Sequence, residues 1–121
     1  MADEKPNPSP PIPSPSPVSQ PMWDAAKEGK LILQVDPGSG KAQFWPRPVN
    51  VQTGKADYEW LEVSGKGTLS AWTKVHVPAP GFADRVPYIL ASVDLVEGGR
   101  IVAQLINVED SAMTPGMAVK V

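Results

Sequence analysis

One histidine, His76, stands in a chain that has no cysteine at all. Those two facts remove thiolate nucleophiles, disulfides and thiolate metal cages, and leave few ways to build a general-base relay. Ser111 and Thr114 lie near Asp110, but no Gly-x-Ser-x-Gly elbow occurs and the sequence gives His76 no partner. His76 reads as a strand-surface residue before it reads as a base. Asp94 and Glu97 flank the Gly98-Gly99 pair. No helix follows those glycines, so they read as a hairpin turn and not as a phosphate cradle. Trp72, Phe82 and Tyr88 are of the kind that stacks on bases, although core packing explains them equally well. Eleven basic against thirteen acidic side chains give a net charge of −2. A chain that binds nucleic-acid phosphate is normally basic, which disfavours that class.

The elements that must position these residues follow from composition and period. A length of 121 residues suits one domain. Eight of the fifteen prolines fall at or before Pro21. With only Ile12 and Val18 as sizeable apolar residues, residues 1–20 read as a disordered, polyproline-like tail. The Pro8 to Pro11 spacing also suits a docking peptide, though proline-rich linkers contain it by chance. A short helix is expected over 21–29, with Ser19 as cap, Pro21 in the first turn and Gly29 as stop. From Lys30 the period changes to two. Strands are expected at 31–35 and 42–45, then at 58–63, 68–77, 88–96, 100–108 and 117–121, with one helical turn near 109–113. In the long strand Leu69, Ala71, Thr73 and Val75 are expected on one face, and Trp72, Lys74 and His76 on the other. Gly65 and Gly67 at its start suit a bulge or barrel corner.

This pattern is mainly β: a hairpin-and-loop module over 30–57, then a small five-stranded barrel of the OB type over 58–121. A small sandwich is the structural alternative. The chain stops inside its last strand, from which an absent or very short C-terminal extension is expected. No run approaches 18 apolar residues and the N-terminus has no secretory pattern, so a cytoplasmic protein with no membrane segment is expected.

Residues 20–121 resemble the family called domain of unknown function 35, a rubredoxin-like zinc ribbon followed by an OB-fold. The matching residues run in order: Trp23, Gly29-Lys30-Leu31, Leu33-Gln34, Phe44-Trp45-Pro46-Arg47-Pro48, Glu59-Trp60, Ser64-Gly65-Lys66-Gly67-Thr68, Pro87-Tyr88, Val93-Asp94-Leu95 with Gly98, and Gly116-Met117 with Val119. By the family's spacing the four thiolate positions are Val35, Gly38, Asn50 and Thr53, none of which offers a thiolate. The resemblance therefore implies a degenerate ribbon without zinc, held by packing of Phe44, Trp45 and Trp60.

The resemblance also implies a role. Members associate with thiolase-like or hydratase-like subunits in acyl-CoA chemistry, as accessory chains and not as the catalytic ones. Such a role needs an apolar slot for a pantetheine arm, cations for phosphates and a docking face. Arg47, Lys74 and Arg85 are the candidate cations, and Trp72, Phe82 and Tyr88 the candidate walls. The loop from Pro78 to Pro87, with Phe82 and Arg85, is the expected interface, unless Phe82 folds back to cap the barrel. A single-stranded nucleic-acid binder and a pure scaffold remain the alternatives.

Overall fold

A computed structural model describes residues 9–121. Helix α1 (Gln20–Lys27) leads into two sheets. Pro21 occupies its first turn, and Gly29, at φ +76°, ends it. There the Lys30 and Gly29 amides donate to the Ala25 and Ala26 carbonyls, the paired pattern that satisfies a helix C-terminus. Ser19 sits at the N-cap but makes no side-chain capping bond. Its hydroxyl instead accepts from the Ser16 amide at 3.0 Å, and the Ser16 hydroxyl accepts from the Ser19 amide at 3.2 Å. Met22 is the buried residue of the helix.

The first sheet has the order β2-β1-β3, all antiparallel, from β1 (Ile32–Val35), β2 (Ala42–Gln43) and β3 (Glu59–Glu62). The second has the order β6-β5-β4-β7, from β4 (Lys66–Val75), β5 (Tyr88–Leu95), β6 (Arg100–Leu105) and β7 (Ala118–Lys120). A short 3-10 turn, Asp110–Ala112, precedes β7. The mainly β architecture with one helix is the one expected. Of the five strands read as barrel, four make the curled second sheet, whereas β3 hydrogen-bonds along β1.

The long strand departs from strict alternation. A bulge at Ser70 sets Leu69 opposite Val93 but Ala71 opposite Ser92. One extra residue reverses the parity that follows. Leu69 and Trp72 therefore both turn to the core, and Ala71, Thr73 and Val75 lie on the other face, a correction to the expected faces. Gly67 serves close packing instead of the bulge: a Cβ there would stand 2.6 Å from the Asp94 carbonyl oxygen.

One core spans both sheets. Leu33, Val35, Ala42 and Val63 pack in the same cluster as Leu69, Ala91, Val93, Leu95 and Ile101. Backbone joins reinforce it. The Ala42 amide donates to the Glu97 carbonyl and the Val63 amide to the Leu31 carbonyl. The Glu97 carboxylate accepts from the Ser64 amide at 2.9 Å and from its hydroxyl.

The tail expectation for residues 1–8 lies outside the described residues. Residues 9–16 form no helix or strand, yet they are not free of the body. A Cβ on Gly81 would stand 2.7 Å from the Ser9 carbonyl oxygen and 2.8 Å from Pro10.

Candidate functional site

Four of the six candidate site residues gather at one end of the second sheet. Lys74, near the end of β4, pairs with Ile89, and its neighbour Val75 pairs with Tyr88 at the start of β5. The connecting loop returns Phe82 onto Tyr88, with ring centroids 6.0 Å apart, and carries the Arg85 guanidinium over the Phe82 ring at 5.8 Å. Turns inside the loop hold it: the Phe82 amide donates to the Ala79 carbonyl and the Arg85 amide to the Phe82 carbonyl. A cleft of about 340 Å³ opens beside this loop, lined by Lys74, Arg85, Tyr88, Gln104, Asn107 and Asp110 among others. Phe82 is half-buried, so it is neither a fully exposed anchor nor a sealed barrel cap.

The cleft is polar and partly self-satisfied. Lys74 forms an ion pair with Asp110 of the 3-10 turn. Its ammonium is therefore already partnered, and an incoming anion has to compete with that carboxylate. Asn107 lines the cleft in a left-handed conformation, φ 58°, which Asn tolerates better than most residues. Sequence reasoning missed Gln104, Asn107 and Asp110 as cleft residues. Their one local signal is the turn-forming Asn107 after an apolar strand.

Trp72 lies elsewhere. Its ring packs partly buried against the core, opposite Ala91 across the sheet. Arg47 is farther still, in the first module, where its exposed side chain is secondary to its backbone. The Arg47 amide donates to the Gln34 side-chain oxygen at 2.8 Å, and its carbonyl accepts from the Gln34 amide nitrogen at 2.8 Å. His76 is exposed just past β4, as are Ser111 and Thr114 near the 3-10 turn.

The four positions where the resemblance places thiolates carry a different chemistry. Val35 is buried in the core, Gly38 lies in a turn, and Thr53 donates its hydroxyl to Asp57. Asn50, only 1% exposed, donates to Asp36 at 2.8 Å and so ties the turn after β1 to the turn that Asn50 opens. The same Asp36 carboxylate accepts from the Ser39 hydroxyl at 2.6 Å and the Ser39 amide at 3.0 Å. The Ser39 and Asn50 bonds hold its pKa below the ordinary carboxylate value. This donor set does not fit a zinc ion. A second knot surrounds Gln34, 1% exposed, whose oxygen also accepts from the Gln43 amide at 2.7 Å. Gln43 in turn bonds the Val49 carbonyl and the Val51 amide. The expected packing is corrected accordingly. Phe44 and Trp45 stack with centroids 4.2 Å apart, but Trp45 is 55% exposed, and polar side chains hold the knuckles. The signal in the sequence was two glutamines inside otherwise apolar strands.

Comparison with known proteins agrees with this architecture. Residues 60–121 match the family model described as the C-terminal OB-fold domain of ChsH2. A DUF35 domain-containing scaffold protein of Pyrococcus furiosus is 39% identical over 98 residues, covering 81% of this chain and 72% of that protein. A "Probable enoyl-CoA hydratase alpha subunit" of Thermomonospora curvata is 30% identical over 97 residues, covering 80% of this chain but 30% of that one. Among solved structures, one titled Ltp2-ChsH2(DUF35) aldolase superposes with a TM-score of 0.78 at 27% identity. It covers 90% of this chain and 85% of the matched chain.

Proposed function

This chain belongs to the DUF35 family, with an OB-fold domain of the ChsH2 C-terminal kind, and on that premise we propose that it is a non-catalytic accessory subunit of an acyl-CoA-processing enzyme. The observation that carries the reading is the common theme of its relatives: a scaffold protein, a hydratase subunit and a chain solved with an aldolase. The partner is a thiolase-like or hydratase-like chain of the cytoplasm. Docking uses the loop of Phe82 and Arg85, where an aromatic ring and a cation stand side by side between the paired strands β4 and β5. The adjoining cleft supplies Lys74 and Arg85 for the phosphates of an acyl-CoA, and Tyr88, backed by the Phe82 ring, for an apolar wall. The ribbon does this work without zinc. In place of the metal, Asp36 and Asn50 bridge the knuckles.

Co-expression with the candidate enzyme subunit, followed by affinity capture of the tagged chain, tests the reading. Capture of a stoichiometric acyl-CoA enzyme is expected, and Phe82→Ala together with Arg85→Ala is expected to weaken it at least tenfold with little change in melting temperature. A chain that captures no such enzyme, and instead shows salt-dependent oligonucleotide binding, overturns the proposal.

A further inference from the structure

The proline-rich segment ahead of the helix is anchored at one end and seated at the other. At its C-terminal end the Ser16 and Ser19 hydroxyls and amides bond reciprocally, and the Gln20 amide donates to the Ser16 carbonyl at 2.9 Å. Helix α1 then fixes this end to the body through buried Met22. Between the ends, Ile12, Pro13 and Pro15 flank Trp23 and Ala26 of the helix across a shallow apolar groove. At its N-terminal end the backbone of Ser9 and Pro10 lies against Gly81, in the middle of the loop that carries Phe82 and Arg85. The fit demands glycine twice over. Gly81 adopts φ +91°, and a Cβ there would collide with the main chain of Ser9 and Pro10 while the segment is seated.

We infer that residues 9–15 are a releasable strap: they hold the 78–87 loop against the body, hinge at the Ser16–Ser19 knot, and free the loop when they lift from Gly81. Four of these seven residues are proline, with φ already restricted, so seating the segment costs little ordering entropy. Few contacts suffice to hold it, and few must break to release it. The anchored end keeps the segment close to the loop in either state, so reseating is intramolecular and fast. A partner that takes Phe82 and Arg85 as its contacts docks on the loop that the strap holds at Gly81.

The test uses the full chain alone, so its failure is separable from failure of the accessory-subunit reading. Pro10→Gly combined with Pro11→Gly loosens the seated end without touching the body. Hydrogen exchange of the 82–86 amides and the rate of tryptic cleavage after Arg85 report loop release. Both are expected to rise at least tenfold over the wild-type chain, while exchange in β4 and β5 stays unchanged. Unaltered loop exchange and cleavage overturn the inference. So does an equal acceleration in the loop and in both strands, which makes the segment a general stabiliser and not a strap.

Discussion

The two sheets solve the same problem, holding short strands together, with different chemistry. The barrel sheet does it with apolar area. Leu69, Ala91, Val93, Leu95 and Ile101 form its inner face, and its polar contacts, such as Arg100 to Asp94, lie at the surface. The ribbon buries Leu33, Val35 and Ala42, with Leu31 and Phe44 partly buried beside them, little area to order two turns. It adds fully bonded polar side chains, Gln34 and Asn50, each of which replaces several backbone contacts at once. Among the described residues no buried side-chain polar atom lacks a partner. The difference teaches that two turns with little apolar area to bury can be tied together by saturated side-chain hydrogen bonds. Its weakness is of another kind as well: a hydrogen-bond hub fails when one member is removed or protonated, whereas an apolar core fails with lost volume.

The largest effects should come from the shared core. Leu33→Ala in the ribbon and Leu69→Ala in the barrel are each expected to cost about 2–5 kcal/mol, read by chemical denaturation. Because both residues belong to one cluster, a single cooperative transition is expected for both variants. Separate melting of the ribbon in Leu33→Ala would break the comparison into two independent folds.

Removal of polar members ranks second. Gln34→Ala deprives the Arg47 amide and carbonyl of their side-chain partner and the Gln43 side chain of one of its two acceptors, and about 1–3 kcal/mol of stability should be lost. Asn50→Ala is expected to lose about 1 kcal/mol through one severed cross-link. Neither the wild type nor either variant should respond to a chelator in a thermal melt. A chelator-induced drop would replace the hydrogen-bond account with a metal.

Acid gives the smallest and most discriminating effect. Bonds from Ser39 and Asn50 lower the pKa of Asp36, and bonds from the Ser64 amide and hydroxyl lower that of Glu97. A lowered carboxylate contributes stability that is complete above its unfolded pKa and is lost as pH falls through the folded one. Loosening of the ribbon and of the Ser64–Glu97 joint is therefore expected below about pH 4, whereas in the barrel sheet the same loss falls on the surface Asp94–Arg100 pair and leaves the apolar face in place. Residue-resolved exchange along an acid titration checks the order. Simultaneous loss of both sheets at the same pH would show that the ribbon has no acid weakness of its own.

Much of the fold was legible in local pattern. The alternation of apolar residues and the Gly, Pro and Asp punctuation placed the helix and every strand, because period and turn chemistry are short-range properties. The absence of cysteine decided on its own that no thiolate ribbon is built here. Other features needed the tertiary structure. The Ser70 bulge reversed the face of Trp72, since a bulge is fixed by cross-strand register and carries no reliable residue signature. The 59–62 strand joined the first sheet because its partner, from Ile32↔Glu62 to Val35↔Glu59, is chosen by packing between segments distant in sequence. The candidate site was only half visible. Lys74, Phe82, Arg85 and Tyr88 converge because β4 and β5 pair in antiparallel fashion, while Trp72 and Arg47, similar in residue type, are carried elsewhere. Sequence by itself set which groups exist and which local geometries they favour. Only the folded chain decided which meet, because side chains distant in sequence become neighbours through the register of strands and the single core that locks both sheets.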